Sequence, residues 1–259
     1  MKFFASDLDG TLIHDNKISN EDVEAIKKFR EEGNRFIVAT GRAFESIKQV
    51  FSEYEGLDYD YIVACNGAII YDSNDNIISK KTISKEVAHR IYKAFKENEK
   101  LVFACGFGEG HHLVELKENS GIRKEILENA KLIKEEEFLA LEKEYETIGF
   151  ICINEDVVTA EGFVELVKKE AMNEVEVFRN QFFLDIAPLS CTKGEGIKAI
   201  LEIENASLEN IATIGDSMND VSMIHITNYG FTFNNAEESV KRVASHHVDS
   251  VAEAINIFK

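Results

Sequence analysis

At 259 residues, 44% of them hydrophobic, the chain is long enough to bury a full core, as one large or two medium globular domains. Its net charge of −18 repels phosphate backbones and anionic lipid, so neither nucleic acid nor a membrane surface is an expected partner, and an anionic small molecule would need a locally positive pocket. Four scattered cysteines (Cys65, Cys105, Cys152, Cys191) form no C-x-x-C pair and read as reduced, buried thiols; with no signal-like start and no apolar run near ~18 residues, the expected location is cytoplasmic.

In chain order, Phe3 to Ser6 reads as a buried strand. Ser19-Asn20-Glu21-Asp22 looks like a capping box for a helix that places Val23, Ile26 and Phe29 on one face and ends near Gly33. Arg35 to Thr40 is the next strand, Phe44, Ile47, Val50 and Phe51 mark the next helical face, and Tyr61 to Cys65 is a third strand. Two strand–helix–strand units in succession predict a parallel sheet with right-handed crossovers. The pattern then changes. A helix over Ser84–Asn98 is followed by strands Leu101–Phe107 and His112–Leu116, helix-like Ile122–Asn129, and an acidic, Lys-rich span. Strand Thr147–Ile153, helix Thr159–Met172 and strands Val175–Phe178 and Phe182–Ile186 complete a segment in which adjacent strands lack intervening helices, which predicts antiparallel pairing. From Ile211–Gly215, through Phe231–Phe233 and His246–Val248, the first pattern resumes. The expected architecture is α/β: a Rossmann-like, doubly wound parallel-sheet core over residues 1–83 and 188–259, interrupted by an inserted α+β cap domain over 84–187.

The first strand ends in Asp7-Leu8-Asp9-Gly10. Side chains two apart on a strand share a face, so Asp7 and Asp9 leave together, and Gly10 permits the turn that follows. Two such carboxylates raise each other's pKa unless a cation sits between them, and hard oxygen ligands suit Mg²⁺ with a substrate phosphate. The second strand ends in Thr40-Gly41-Arg42, a hydroxyl and backbone amides at a strand–helix junction that suit an anion. Thr192-Lys193-Gly194 opens a late helix with a cation that can neutralise a phosphate. Gly215-Asp216-Ser217-Met218-Asn219-Asp220 follows another strand and adds two carboxylates and an amide. Ligands of open α/β sheets bind at the carboxyl ends of the strands, where all four motifs fall.

D-L-D-G-T-L, T-G-R, the lysine and G-D-S-M-N-D, in this order, resemble the haloacid dehalogenase superfamily; the large insertion, Asn66-Gly67-Ala68 and the closing Asn235-Ala236 resemble its Cof-type phosphatases. The resemblance implies that Asp7 is the nucleophile and Asp9 the general acid/base. It implies that the Asp7 carboxylate, the Asp9 carbonyl and Asp216 hold Mg²⁺. Thr40, the amides of Leu8 and Gly41, Lys193 and Asn219 would then cradle the phosphoryl group, Asp220 would orient Lys193 or a metal-bound water, and Arg42 and Asn66 would face the leaving group. Two departures, Ser190 where the family commonly has glycine and Thr232-Phe233-Asn234 where it has smaller residues, bear on loop geometry rather than on the reaction.

The expected activity is Mg²⁺-dependent hydrolysis of a small phosphorylated metabolite, such as a sugar phosphate or a cofactor phosphate (pyridoxal phosphate, flavin precursors), through an aspartyl-phosphate, by a monomer or small homo-oligomer. A phosphomutase of the same superfamily would need several cationic side chains in the cap, for which only Arg90, Arg123 and Arg179 are candidates. A non-catalytic phosphometabolite sensor would not need an acid/base beside a nucleophile. Gly106-Phe107-Gly108-Glu109-Gly110 reads as a hairpin turn rather than a dinucleotide loop, and Glu135-Glu136-Glu137 as a solvated face. The adjacent pairs His111-His112 and His246-His247 point to opposite faces and cannot chelate together.

Overall fold

The computed structural model describes residues 1–106, 111–116, 121–122, 124–128 and 130–259. Phe107–Gly110, most of the glycine-rich segment expected to form a hairpin turn, together with Arg123 and Asn129, lie outside the described residues. The chain begins with β1 (Phe3–Ser6), α1 (Asn20–Glu31), β2 (Arg35–Ala39), α2 (Phe44–Ser52), β3 (Tyr61–Ala64), β4 (Ile69–Asp72) and β5 (Ile77–Lys80). It continues through α3 (Lys85–Phe95), β6 (Leu101–Gly106), β7 (His111–Val114), α4 (Lys124–Glu128), β8 (Ala130–Ile133), α5 (Glu135–Leu139), β9 (Thr147–Cys152), α6 (Val157–Glu170), β10 (Val175–Asn180) and β11 (Phe183–Pro188). It closes with α7 (Lys193–Ile203), β12 (Ile211–Ile214), α8 (Val221–Ile224), β13 (Tyr229–Phe233), α9 (Glu238–Lys241), β14 (His246–Val248) and α10 (Val251–Phe258). Two compact units result: Met1–Lys80 with Thr192–Lys259, here the core unit, and Lys81–Cys191, the inserted unit.

The core unit is built on an eight-stranded sheet in the order β14-β13-β12-β1-β2-β3-β4-β5. All pairs from β14 to β3 are parallel, and the hairpin β4–β5 adds two antiparallel strands at one edge. Parallel strands buried on both faces need unbroken apolar runs, and β1 (Phe-Phe-Ala-Ser) and β12 (Ile-Ala-Thr-Ile) are buried throughout. The chain runs outward from β1 to β2 and β3 on one side, while β12 and β13 extend the other, so the strand order reverses at β1/β12. The crevice at the carboxyl ends of these two strands is where such sheets bind ligands. Hydroxyl caps set the helix starts: Ser19 accepts from the Asp22 amide at α1, and Thr192 accepts from the Glu195 amide at α7.

The inserted unit carries a six-stranded sheet, β10-β11-β9-β6-β7-β8, antiparallel except for the parallel pair β7/β8. Antiparallel pairing agrees with the sequence pattern everywhere but at β8. Its core is aromatic: Phe103 lies 5.3 Å, centroid to centroid, from each of Tyr92, Phe138 and Phe150. Two of its expected polar features are structural. The Glu135–Glu137 run forms the first turn of α5, where carboxylates oppose the positive end of a helix. Ser190, in the place where glycine is common, takes φ 60, so a serine here accepts the left-handed conformation glycine adopts freely.

Candidate active site

The loop after β1 is shaped by its own backbone. The Leu8 carbonyl accepts from the amides of Thr11, Leu12 and Ile13 at 3.3, 3.0 and 2.7 Å, and Gly10 turns at φ 81. A Cβ at Gly10 would stand 2.6 Å from Oδ2 of Asp216, so only glycine lets this loop close on the carboxylate that follows β12. Thr11 then donates to Asp216 Oδ1 at 2.8 Å and Ser217 to Asp216 Oδ2 at 3.0 Å, which fixes the orientation of that carboxylate. Neither hydroxyl stands out in the sequence reading; each is signalled only by adjacency to a motif aspartate.

Lys193, the first residue of α7, is 1% exposed, and its ammonium bridges Asp7 Oδ1 at 2.7 Å and Asp220 Oδ1 at 2.6 Å. A buried ammonium survives only with full pairing. Burial alone would drive Lys193 toward neutrality, but Asp220 and Asp7 outweigh it and hold the lysine charged. The other Asp220 oxygen accepts from the amides of Asp216 and Ser217 at 3.0 and 2.9 Å, so this completely buried carboxylate is fully hydrogen-bonded and anchors the lysine. Asp7 is in a different position. Burial first, then the neighbouring charge of Asp220, push its pKa well up despite Lys193, and Asp216 and Asp9 add to the push. The Asp216 carboxyl is raised to about 6 by burial and by Asp220, against the two hydroxyls that bond it.

Asp7, Asp216 and Asp220 each offer a carboxylate oxygen within 4.8 Å of the others, and among the described residues they form the one such group of three or more possible ligands. Three crowded carboxylates, with Asp7 and Asp216 raised in pKa and only oxygen to offer, fit a hard divalent cation, which would relieve their repulsion. The Asp9 side chain is not part of that group. Its two oxygens are taken by the Arg42 fork, Nε to Oδ2 at 2.7 Å and Nη2 to Oδ1 at 2.6 Å, and the third guanidinium nitrogen donates to Ser46 at 3.2 Å.

The remaining expected residues meet through the backbone. The Asn66 amide donates to the Thr40 carbonyl and the Cys65 amide to the Arg42 carbonyl, both at 3.0 Å, which joins the loop after β2 to the loop after β3. The Arg42 amide bonds Thr40 Oγ1 at 3.2 Å, leaving the hydroxyl proton available to a ligand. Cys65 and Asn66 hold φ 50 and 52, a strained pair of the kind found at binding sites, and Gly67 follows at φ 98. Asn66 accepts from Asn219 Nδ2 at 3.3 Å, while the buried Asn219 Oδ1 has no partner. Leu8 and Gly41 lie in the same two loops as Asp7 and Thr40. A cavity of about 620 Å³ between Lys27, Arg30, Arg35 and Asp60 lies at the opposite, amino-terminal ends of β2 and β3 and takes in none of these residues. No helix of the described residues is long and apolar enough to cross a membrane.

The haloacid dehalogenase-like hydrolase family matches residues 4–255. Phosphatase YwpJ of Bacillus subtilis (strain 168) is 26% identical, over 94% of this chain and 93% of its own length. The 5-amino-6-(5-phospho-D-ribitylamino)uracil phosphatase YcsE of the same strain is 25% identical, over 98% and 92%. Among solved structures, the subclass IIB sugar phosphatase BT4131 superposes with a TM-score of 0.83 at 22% identity, covering all of this chain and 99% of that one, which shows a shared fold.

Proposed function

The chain belongs to the haloacid dehalogenase-like hydrolase family and is a phosphatase, and from that premise we propose that it hydrolyses a small phosphorylated metabolite, a sugar phosphate or a cofactor phosphate, through an aspartyl-phosphate on Asp7 with Mg²⁺ as its metal. The observation that carries this reading is the pairing of buried Asp7 with Lys193 at 2.7 Å beside Asp216, a nucleophile and a cation on one side of a site built for a second cation. Bound Mg²⁺ would supply charge neutralisation for the approach of a phosphate dianion to a carboxylate. Asp7 Oδ, Asp216 and the Asp9 carbonyl are the groups proposed to hold it.

An Asp7 oxygen attacks phosphorus as the bond to the leaving oxygen breaks, and Asp9 delivers the proton that converts the leaving alkoxide to an alcohol. In the second half Asp9 takes a proton from water, the resulting hydroxide forms the new bond to phosphorus, and Asp7 departs as carboxylate with release of inorganic phosphate. Lys193 neutralises phosphoryl oxygens while Asp220 holds it in place. Thr40, the amides of Leu8 and Gly41, and Asn219 complete the cradle. Asn66, fixed against Asn219, stands toward the leaving group. Two of the cationic side chains that a mutase would want for a second phosphate are already engaged: Arg90 bonds Glu174 and the Ala171 carbonyl, and Arg179 bonds Glu161.

Phosphate release from a panel of sugar, nucleotide and cofactor monoesters, with Mg²⁺ and with chelator, tests the proposal. Activity is expected on at least one ester with Mg²⁺ and none with chelator. Inertness on the whole panel with Mg²⁺ present would remove the reading.

A further inference from the structure

We propose that Arg42 is a positioning residue that acts through Asp9, holding the acid/base carboxylate in one orientation, rather than a group that binds the leaving group. The inference rests on the phosphatase reading above. Its ground is how the guanidinium is used: Nε and Nη2 fork both Asp9 oxygens at 2.7 and 2.6 Å, and Nη1 donates to Ser46 at 3.2 Å. Each of the three nitrogens therefore bonds the protein, through three of the five N–H groups. The Nε/Nη2 edge, a bidentate face with which an arginine could grip a ligand anion, is given wholly to Asp9.

Asp9 needs such a strut. It sits just before the Gly10 turn with a side chain 45% exposed, whereas the Asp7 side chain is 6% exposed and held by Lys193. An exposed aspartate samples several rotamers, and proton transfer demands one, at hydrogen-bond distance from the leaving oxygen. Two parallel bonds to a planar fork fix both the position and the plane of the carboxylate, which a single bond cannot do. The fork occupies one lone pair on each oxygen and leaves another on each, so the proton can still be held and passed on. Ser46, in the first turn of α2, fixes the guanidinium in turn. The backbone supports the same assignment: the Arg42 amide bonds Thr40 Oγ1 and its carbonyl accepts from Cys65, so the strut is rooted in the phosphate-side loop.

The test is the leaving-group dependence of the first turnover, measured as the burst of phenol from substituted phenyl phosphates running from 4-nitrophenyl to 4-methoxyphenyl. A nitrophenolate departs unaided, while a methoxyphenolate needs the proton. With R42A the burst should fall no more than about threefold for the nitrophenyl ester and about 10²-fold for the methoxyphenyl ester, with KM little changed. R42K, a cation without a fork, should fall between wild type and R42A. Because both residues act in one step, R42A added to D9N should cost nothing further. R42Q and the thermal midpoint of each variant guard against misfolding; the half-exposed pair predicts midpoints within about 3 °C of wild type. A uniform loss along the series with raised KM, or losses that add in the double variant, would overturn the inference and leave the phosphatase standing. A wild type inert on every ester would remove both.

Discussion

The two units both bury apolar cores but differ in how much charge they bury beside them. Of the buried polar and charged side chains among the described residues, only His112 and Arg179 belong to the inserted unit; the core unit holds Asp7, Asp60, Asn66, Lys193, Ser217, Asn219, Asp220 and the rest. The rest of the inserted unit's described interior is apolar, with Tyr92, Phe103, Phe138 and Phe150 in edge contacts, whereas the core unit buries both rings and charge. Burying charge is expensive and adds little net stability even when it is paired, whereas aromatic packing returns free energy directly. A fold keeps the first kind of interior where chemistry requires it, and the difference marks which unit carries the reaction.

The largest expected effects lie on each side of that contrast. Asp7→Asn removes the attacking charge and should lower turnover at least ~10³-fold. It also removes a carboxylate whose charge the site disfavours, so the thermal midpoint without metal should hold or rise. A variant that lost both activity and stability would show that Asp7 is structural. Phe103→Ala in the inserted unit should do the reverse and cost about 3–5 kcal/mol of local stability. Hydrogen exchange resolves it: protection should fall across β6 and β9 while β1 and β12 keep theirs. Equal loss in all four strands would mean that the two interiors unfold as one.

Much of this contrast was legible in the sequence, for a physical reason. Asp7 and Asp9 two residues apart at a strand end, a lysine at a helix start and a carboxylate-rich turn after a buried strand are local patterns, and the sheet brings their carboxyl ends together whatever the details. The antiparallel pairs of the inserted unit's sheet followed from strands without intervening helices, while the parallel strand β8 did not. What escaped depends on partners distant in sequence. The bond from Arg42 to Asp9 spans 33 positions and leaves no local trace. The hairpin β4–β5 was missed because β5, Ile77–Lys80, is exposed along its whole length and shows no alternation. β8 and α5 lie in a span whose charged composition hides short elements, and only their pairing with β7 and the burial of Phe138 give them order.

A smaller effect joins the buried carboxylates to pH. The folded Asp216 carboxyl is raised to about 6, against ~4 when unfolded. A raised acid binds its proton more tightly in the folded state, so its contribution to stability is present below pH ~4 and lost as pH rises through about 6. In the metal-free protein this amounts to about 3 kcal/mol. A divalent cation needs the ionised form, so the rise in midpoint on adding Mg²⁺ should be full at pH 7.5, shrink through pH 6 and vanish near pH 5. Exchange protection should rise at β12 and not at β9. A pH-independent rise, or one shared by β9, would place metal binding elsewhere.

The finest test compares one glycine from each unit. Gly67 sits at φ 98 in the strained loop after β3, and a Cβ there would stand 2.4 Å from the Thr192 carbonyl, the residue that caps the lysine helix α7. Gly67→Ala therefore meets both an unfavourable backbone and a fixed obstacle, and should cost about 1–3 kcal/mol. Because the obstacle is the N-cap of α7, relief must come by shifting Lys193 away from Asp7, so turnover should fall further than the loss of folded protein explains. Gly162 lies inside α6 with nothing within 4 Å of its missing Cβ. Gly162→Ala should raise stability by roughly 0.5–1 kcal/mol through helix propensity alone and leave turnover unchanged. Denaturant midpoints with parallel rate measurements decide between them. If Gly67→Ala were destabilising yet fully active per folded molecule, the loop after β3 would be a support for the fold and not for the position of the lysine.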